Sequence, residues 1–297
     1  MRGTPGTLKA RTQSGKRYWV REYIRVDGRK VDEYLGPESS IDEATVEALR
    51  AEVALARALA SGSGTLRLLG YQRMERKPAA VLEVFFNRGL VQAGLALVGA
   101  HAYGALLNEL GVLAPGYRTQ DIDIARAQPL AMALREAVTF QQLLKESGLP
   151  FVPVPGKPSH RPSASFKLPG AESLAVDLLL PGHTLLDFLI AEPLEGVILS
   201  PNQVIPVKLP SPERFVLHKL FASQSRTFDR DKAGKYLQQA ATLAAVVEEE
   251  MPGRLSDAFR RMPAAGKART RRAARIAAKR LEDVHVQGAE ALLKLAR

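Results

Sequence analysis

The segment from Leu95 to Arg126, LALVGAHAYGALLNELGVLAPGYRTQDIDIAR, constrains the fold more than any other part of the chain. An apolar strand-like run, Leu95 to Val98, breaks at Gly99-Ala100 into a helix-like run, Ala102 to Leu110. A loop with Pro115 and Gly116 follows, then the alternating Asp121-Ile122-Asp123-Ile124. Successive side chains of a strand point to opposite faces, so the two aspartates share one face while Ile122 and Ile124 turn to the core. Carboxylates side by side repel, and a divalent cation is the usual relief. A later apolar strand, Ser173 to Leu180, carries a single acid, Asp177, at its middle. Such a carboxylate is costly to bury unless it binds a metal or pairs with a buried arginine.

The turn at Gly99 adds a second element. A strand-to-helix turn with little side-chain bulk lets backbone N–H groups approach a phosphate, helped by the positive end of the helix, although simple packing also explains a Gly-Ala turn. Together these residues resemble the nucleotidyltransferase superfamily: an apolar strand, a small-residue turn opening a helix, Asp-x-Asp on the next strand and a third acid on a later one. Val-Gly-Ala-His-Ala-Tyr followed by Thr-Gln-Asp-Ile-Asp-Ile-Ala is similar, more narrowly, to a bacterial family related to the AbiEii and MenT type toxins. The similarity spans residues 80 to 250.

That resemblance implies an α+β nucleotidyltransferase fold, a mixed sheet flanked by helices, with an N-terminal β-hairpin and a helical C-terminal region. It implies a site in which Asp121, Asp123 and Asp177 hold Mg2+ or Mn2+, with an NTP, ATP among the candidates, as substrate. Nucleotide contacts are then expected from Gly99, Ala100, Arg118, Thr119, Lys219 and Lys235. Ala100 stands where the superfamily has Gly or Ser. Tyr236 stands where a following Lys-Asp pair would have its aspartate, which leaves Lys235 as the contact and any role of Tyr236 open. The related toxins modify tRNA acceptor ends and have antitoxin partners.

Composition bounds the partners. Residues 1 to 37 carry nine Lys and Arg against four Asp and Glu, residues 251 to 297 carry twelve against four, and the middle is slightly acidic, within a net charge of +11. Cationic ends on a near-neutral body suit a polyanion such as RNA; solubility is the plainer explanation. The chain has no cysteine, which excludes disulfides and thiolate metal sites and makes a cytoplasmic location the default expectation. The uncharged stretch 89 to 108 approaches membrane-span length, but its glycines, His101 and Asn108 favour a buried strand-turn-helix, so no membrane partner is expected.

Three regions are expected: 1–62, a basic β-hairpin plus a helix; 63–210, the nucleotidyltransferase core; and 211–297, a helical region. Lys16 to Leu35 reads as two strands joined at Asp27-Gly28, with Arg17, Trp19 and Arg21 on a basic face that fits phosphates and bases or simply solvent. Residues 42 to 60 predict an amphipathic helix broken at Ser61 to Gly64, and Lys77 to Asn87 predicts another. Ala131 to Ser147 reads as a helix, 150 to 169 as a proline-rich loop carrying Lys157, His160, Arg161 and Lys167, and 197 to 209 as an edge strand pair. Helices are expected from Ser211-Pro212-Glu213 onward and over Lys232 to Leu243. From Ala268 to Leu281, Arg271, Arg272, Arg275 and Lys279 take one side of a helix and alanines the other, a candidate RNA-phosphate contact. Two further classes fit the same residues: a protein nucleotidylyltransferase of the AMPylator type, and a non-catalytic RNA-binding module that retains the fold.

Overall fold

A computed structural model describes residues 5–24, 28–115, 119, 121–126, 139–155, 163–170, 174–179, 184–225 and 229–297. Arg118, Asp27, residues 131–138 of the expected helix, and Lys157, His160 and Arg161 lie outside them.

The N-terminal unit has three strands, not two. β1 (Gly6–Gln13), β2 (Lys16–Ile24) and β3 (Lys30–Pro37) form an antiparallel sheet in that order. The strand missed by sequence reasoning is tied to β2 by Ser14-Gly15, both left-handed at φ 52° and 73°, the pairing that suits a two-residue hairpin turn. A 3-10 turn (Glu38–Ser40) leads to α1 (Glu43–Leu68), whose N-cap Asp42 accepts from the Thr45 N–H at 2.7 Å. The helix runs straight through the expected break, Ser61 to Gly64. Ser63 is buried there and donates to the Ser200 carbonyl at 2.7 Å, so a tertiary contact overrides the weak helix propensity of Ser and Gly.

The main sheet has seven strands in the order β6-β7-β8-β5-β4-β10-β9 and is mixed. Its members are β4 (Ala96–Val98), β5 (Ile122–Ala125), β6 (Val152–Pro153), β7 (Ser165–Lys167), β8 (Ala175–Leu179), β9 (Leu194–Leu199) and β10 (Val204–Leu209). β5 pairs antiparallel with β4 and parallel with β8, which sets the site at the sheet's centre. The stretch expected as a proline-rich loop supplies β6 and β7, short strands that pair antiparallel. The expected strand pair lies at one end of the sheet, β9 at the edge and β10 just inside it, paired with both β9 and β4. Pro206 is tolerated because β10 meets the short β4 only at Lys208, opposite Ala96.

Helices cover the sheet. α2 (Arg76–Asn87) packs on β10, α3 (Gly99–Glu109) on β4, β5 and β9, and α4 (Phe140–Lys145) on α2. α5 (Thr184–Ile190) leads toward α6 (Pro212–Ser223), which forms a helical hairpin with α7 (Arg230–Glu250). α8 (Arg254–Arg261), α9 (Ala264–Ala278) and α10 (Val286–Leu295) complete the C-terminal bundle. One continuous apolar core joins sheet and bundle; Tyr103 of α3 stacks on Phe215 of α6 with ring centroids 6.3 Å apart. No helix among the described residues is long and apolar enough to cross a membrane.

Candidate active site

The central strands align the acids. Ile122 and Ile124 are buried, so the pleat turns Asp123 to the opposite face, with Asp121 two residues earlier at the strand's entrance. Asp123 lies opposite Asp177 in the parallel β5–β8 register and opposite Val98 in the β4 register. On the far side of β8, Asp177 pairs with Ser165.

Gly99 follows Val98 and starts α3 at φ 74°. A Cβ there would stand 1.9 Å from Oδ2 of Asp123. Glycine is therefore demanded twice, by the left-handed backbone and by the carboxylate that fills the space of a side chain. The second reason has no trace in the local sequence, because it depends on which residue lies across the sheet.

These groups line a cleft of about 590 Å3 with Ala100, Thr119, Lys219 and Lys235. The structure thus brings together the three aspartates and every described residue of the expected nucleotide site. It adds residues that sequence reasoning missed: Ser165, and Asp229, Asp231 and Lys232 at the start of α7. Asp229 is the N-cap of α7, accepting from the Lys232 N–H at 2.9 Å. The Asp-Arg-Asp-Lys pattern is a legible helix start, but the helix was expected only from Lys232.

Lys219 is 4% exposed. Its ammonium lies 4.4 Å from the Tyr236 ring centroid and 4.8 Å from that of Phe215, a two-sided aromatic clamp. Tyr236, whose role was open, is thereby tied to the lysine that faces the aspartates. Burial pushes Asp123 up to about 6; the Lys219 charge opposes that shift, and Asp177 and Asp121 reinforce it. Lys235 is held below its usual range by burial and by Lys232. His101, on α3, falls to about 4 through burial and the Lys235 charge, and its Nε2 is buried with no hydrogen-bond partner among the described residues.

The cationic candidates divide. In the N-terminal sheet Arg17 pairs with Glu38 at 3.1 Å, and Trp19 lies under the Arg50 guanidinium at 5.8 Å. Arg21 is 3% exposed and pairs with Glu52 of α1 at 3.3 Å. Arg21 departs from the outward basic face expected of these three, drawn in because the sheet packs on α1, whereas Arg17 stays exposed beside Glu38 and Trp19 is half-buried. In α9, Ala273, Ala274, Ala277 and Ala278 are fully buried, whereas Arg272, Arg275 and Lys279 are exposed. Arg271 is half-buried, its guanidinium 5.4 Å from the Phe259 ring, and so departs from the expected row.

A family model described as "Nucleotidyltransferase" matches residues 76–185 and 182–264. A solved structure, an antigenic nucleotidyltransferase-like protein from Paracoccidioides brasiliensis, is similar over 60% of this chain and 91% of its own, at 16% identity and a TM-score of 0.32. That superposition is too slight to bear on the site. No curated protein matches the chain.

Proposed function

We propose, for a chain that belongs to the nucleotidyltransferase family, that it transfers a nucleoside monophosphate from an NTP to a hydroxyl on RNA, the 3′ end of a tRNA being the preferred form. One observation carries the reading: Asp123 and Asp177 are register partners on adjacent strands, with Asp121 beside them, the Gly99 turn against them and Lys219 facing them.

The donor set suits a hard divalent cation. It is all oxygen, and the mutual repulsion that helps hold Asp123 near 6 is what a cation relieves. Among the described residues no group of three or more His, Asp or Glu stands close enough to form a cage by itself. Mg2+ ordinarily takes one or two carboxylates and completes its shell with phosphate oxygens and water, so Asp121, Asp123 and Asp177 would hold Mg2+ or Mn2+ together with the nucleotide. When bound, the ions lower the pKa of the attacking hydroxyl and stabilise charge on the departing pyrophosphate.

The chain's own groups do the rest. The first N–H groups of α3, at the small-residue turn of Gly99 and Ala100, donate to the triphosphate oxygens. Lys219 neutralises it at fixed position, because two aromatic faces orient the ammonium without cancelling its charge. Lys235 and Thr119 contact the nucleotide from α7 and from the approach to β5. The net charge of +11 supports a polyanionic acceptor.

The deciding assay offers each alpha-labelled NTP with Mg2+ to total RNA and, separately, to total cell protein, with Asp121→Asn alongside. Label in a tRNA-sized band that disappears with the variant is the expected result. Label in protein instead would reassign the acceptor, and label that persists in the variant would remove the aspartates from the chemistry.

A further inference from the structure

We infer that the exposed side of α9 is a phosphate ledge along which single-stranded RNA lies as its end enters the cleft; this rests on the RNA reading above. Between Ala264 and Leu281 there is no Asp or Glu. The four buried alanines fix the roll of the helix, so Arg272 and Lys279 are held toward solvent, and Arg275, exposed on the same side, donates to the Ala296 carbonyl at 2.9 Å. Arg272 and Lys279 form no ion pair among the described residues, in contrast with the basic side chains of the N-terminal sheet.

Position makes the row more than a solvated face. At one end Arg269 donates to Ser225 Oγ at 3.2 Å and lies 5.4 Å from the Phe221 ring. At the other, Arg280 donates to the Gly234 carbonyl at 3.3 Å and to Gln238 Oε1 at 2.9 Å. Ser225 and Gly234 flank the start of α7, whose Asp229, Asp231, Lys232, Lys235 and Tyr236 line the cleft. Both ends of the ledge are thus fastened to the segment whose other side is the cleft wall. α9 packs on α7, so the ledge and the cleft share that helix as a common neighbour.

The chemistry of the face selects its occupant. Successive cations stand about 4.5 to 6 Å apart along the axis, a row that neutralises consecutive phosphates rather than one isolated acid. A lipid surface is disfavoured, because Ile276 is the one large apolar side chain exposed in the described α9.

The test is fluorescence anisotropy with a labelled single-stranded RNA, comparing wild type, Arg272→Gln/Lys279→Gln and Asp123→Asn. Both ledge positions are exposed, and unchanged MgATP binding by the double variant serves as its folding control. The double variant is expected to bind RNA about tenfold more weakly near 0.1 M salt, with the slope of log K against log salt reduced by about 1.4, the loss of two single-strand phosphate contacts. Unchanged affinity and slope would overturn the ledge. So would polyglutamate competing as well as RNA, or a DNA strand of the same sequence binding more tightly. Normal RNA binding with no transfer by wild type from any NTP would sink the reading of the cleft and leave the ledge standing, since binding is scored without turnover.

Discussion

Glu22 in the N-terminal sheet and Asp123 in the central sheet are both acids on inner strands of an antiparallel or mixed ladder, and they are treated oppositely. Glu22 is surrounded by Lys30 at 2.7 Å, Lys9 at 3.1 Å and Arg11 at 3.1 Å. Hydrogen bonds from Lys30 and Lys9 bring it down to about 2. Asp123 is raised to about 6 by burial and by two neighbouring carboxylates, with Lys219 only partly compensating. The N-terminal sheet satisfies this charge from its own strands. The central sheet, which leaves its acids in conflict, has a deficit of positive charge, which a substrate complex can supply.

The contrast can be broken most severely at Gly99. Gly99→Ala drives a methyl into the Asp123 carboxylate and strains a left-handed backbone, and it is expected to cost at least about a hundredfold in transfer rate in single-turnover assays. Near-normal activity would show that the close approach of turn and carboxylate is dispensable.

Asp123→Asn should instead stabilise the apo protein while abolishing transfer. The folded Asp123 binds its proton up to about pH 6, whereas the unfolded residue releases it near 3.8, so the wild type loses stability as pH rises through that window. Without divalent ions the variant is expected to be more stable at pH 7.5 by up to about 3 kcal/mol, with the gap closing near pH 4. Mg2+ should raise the Tm of wild type and leave that of the variant unmoved. A variant less stable than wild type at pH 7.5 would mean that Asp123 is not in conflict.

Smaller effects sharpen the same comparison. Tyr236→Leu removes one face of the lysine clamp and should raise KM for the NTP by about tenfold with kcat little changed, while Tyr236→Phe restores it. Failure of Phe to rescue would assign the effect to the tyrosine hydroxyl. Smallest is Glu22→Gln. Because the Glu22 pKa is lowered, its contribution is present above about pH 4.5 and fades as pH falls toward 2. The loss in Tm should be slight at pH 7 and shrink further in 1 M salt; a salt-independent loss would point to packing rather than charge.

Much of the centre was legible because it depends on local rules. The alternation of Asp121 to Ile124 sets which side chains share a face, the lone acid of an apolar strand identifies Asp177, and Pro212 after Ser211 opens α6. The sequence by itself therefore determined the central strands β4, β5 and β8, the turn at Gly99 and which acids those strands carry, together with the buried alanine side of α9. Only the tertiary structure decided what each met. It set Asp123 against Gly99 and Asp177, clamped Lys219 between Phe215 and Tyr236, drew Arg21 inward to Glu52, and carried α1 past its glycines through the Ser63 contact. Periodicity and capping act over a few residues. Charge conflict, aromatic clamping and burial arise between residues up to more than a hundred positions apart, as for Ser63 and Ser200, and come into being only when the chain closes on itself.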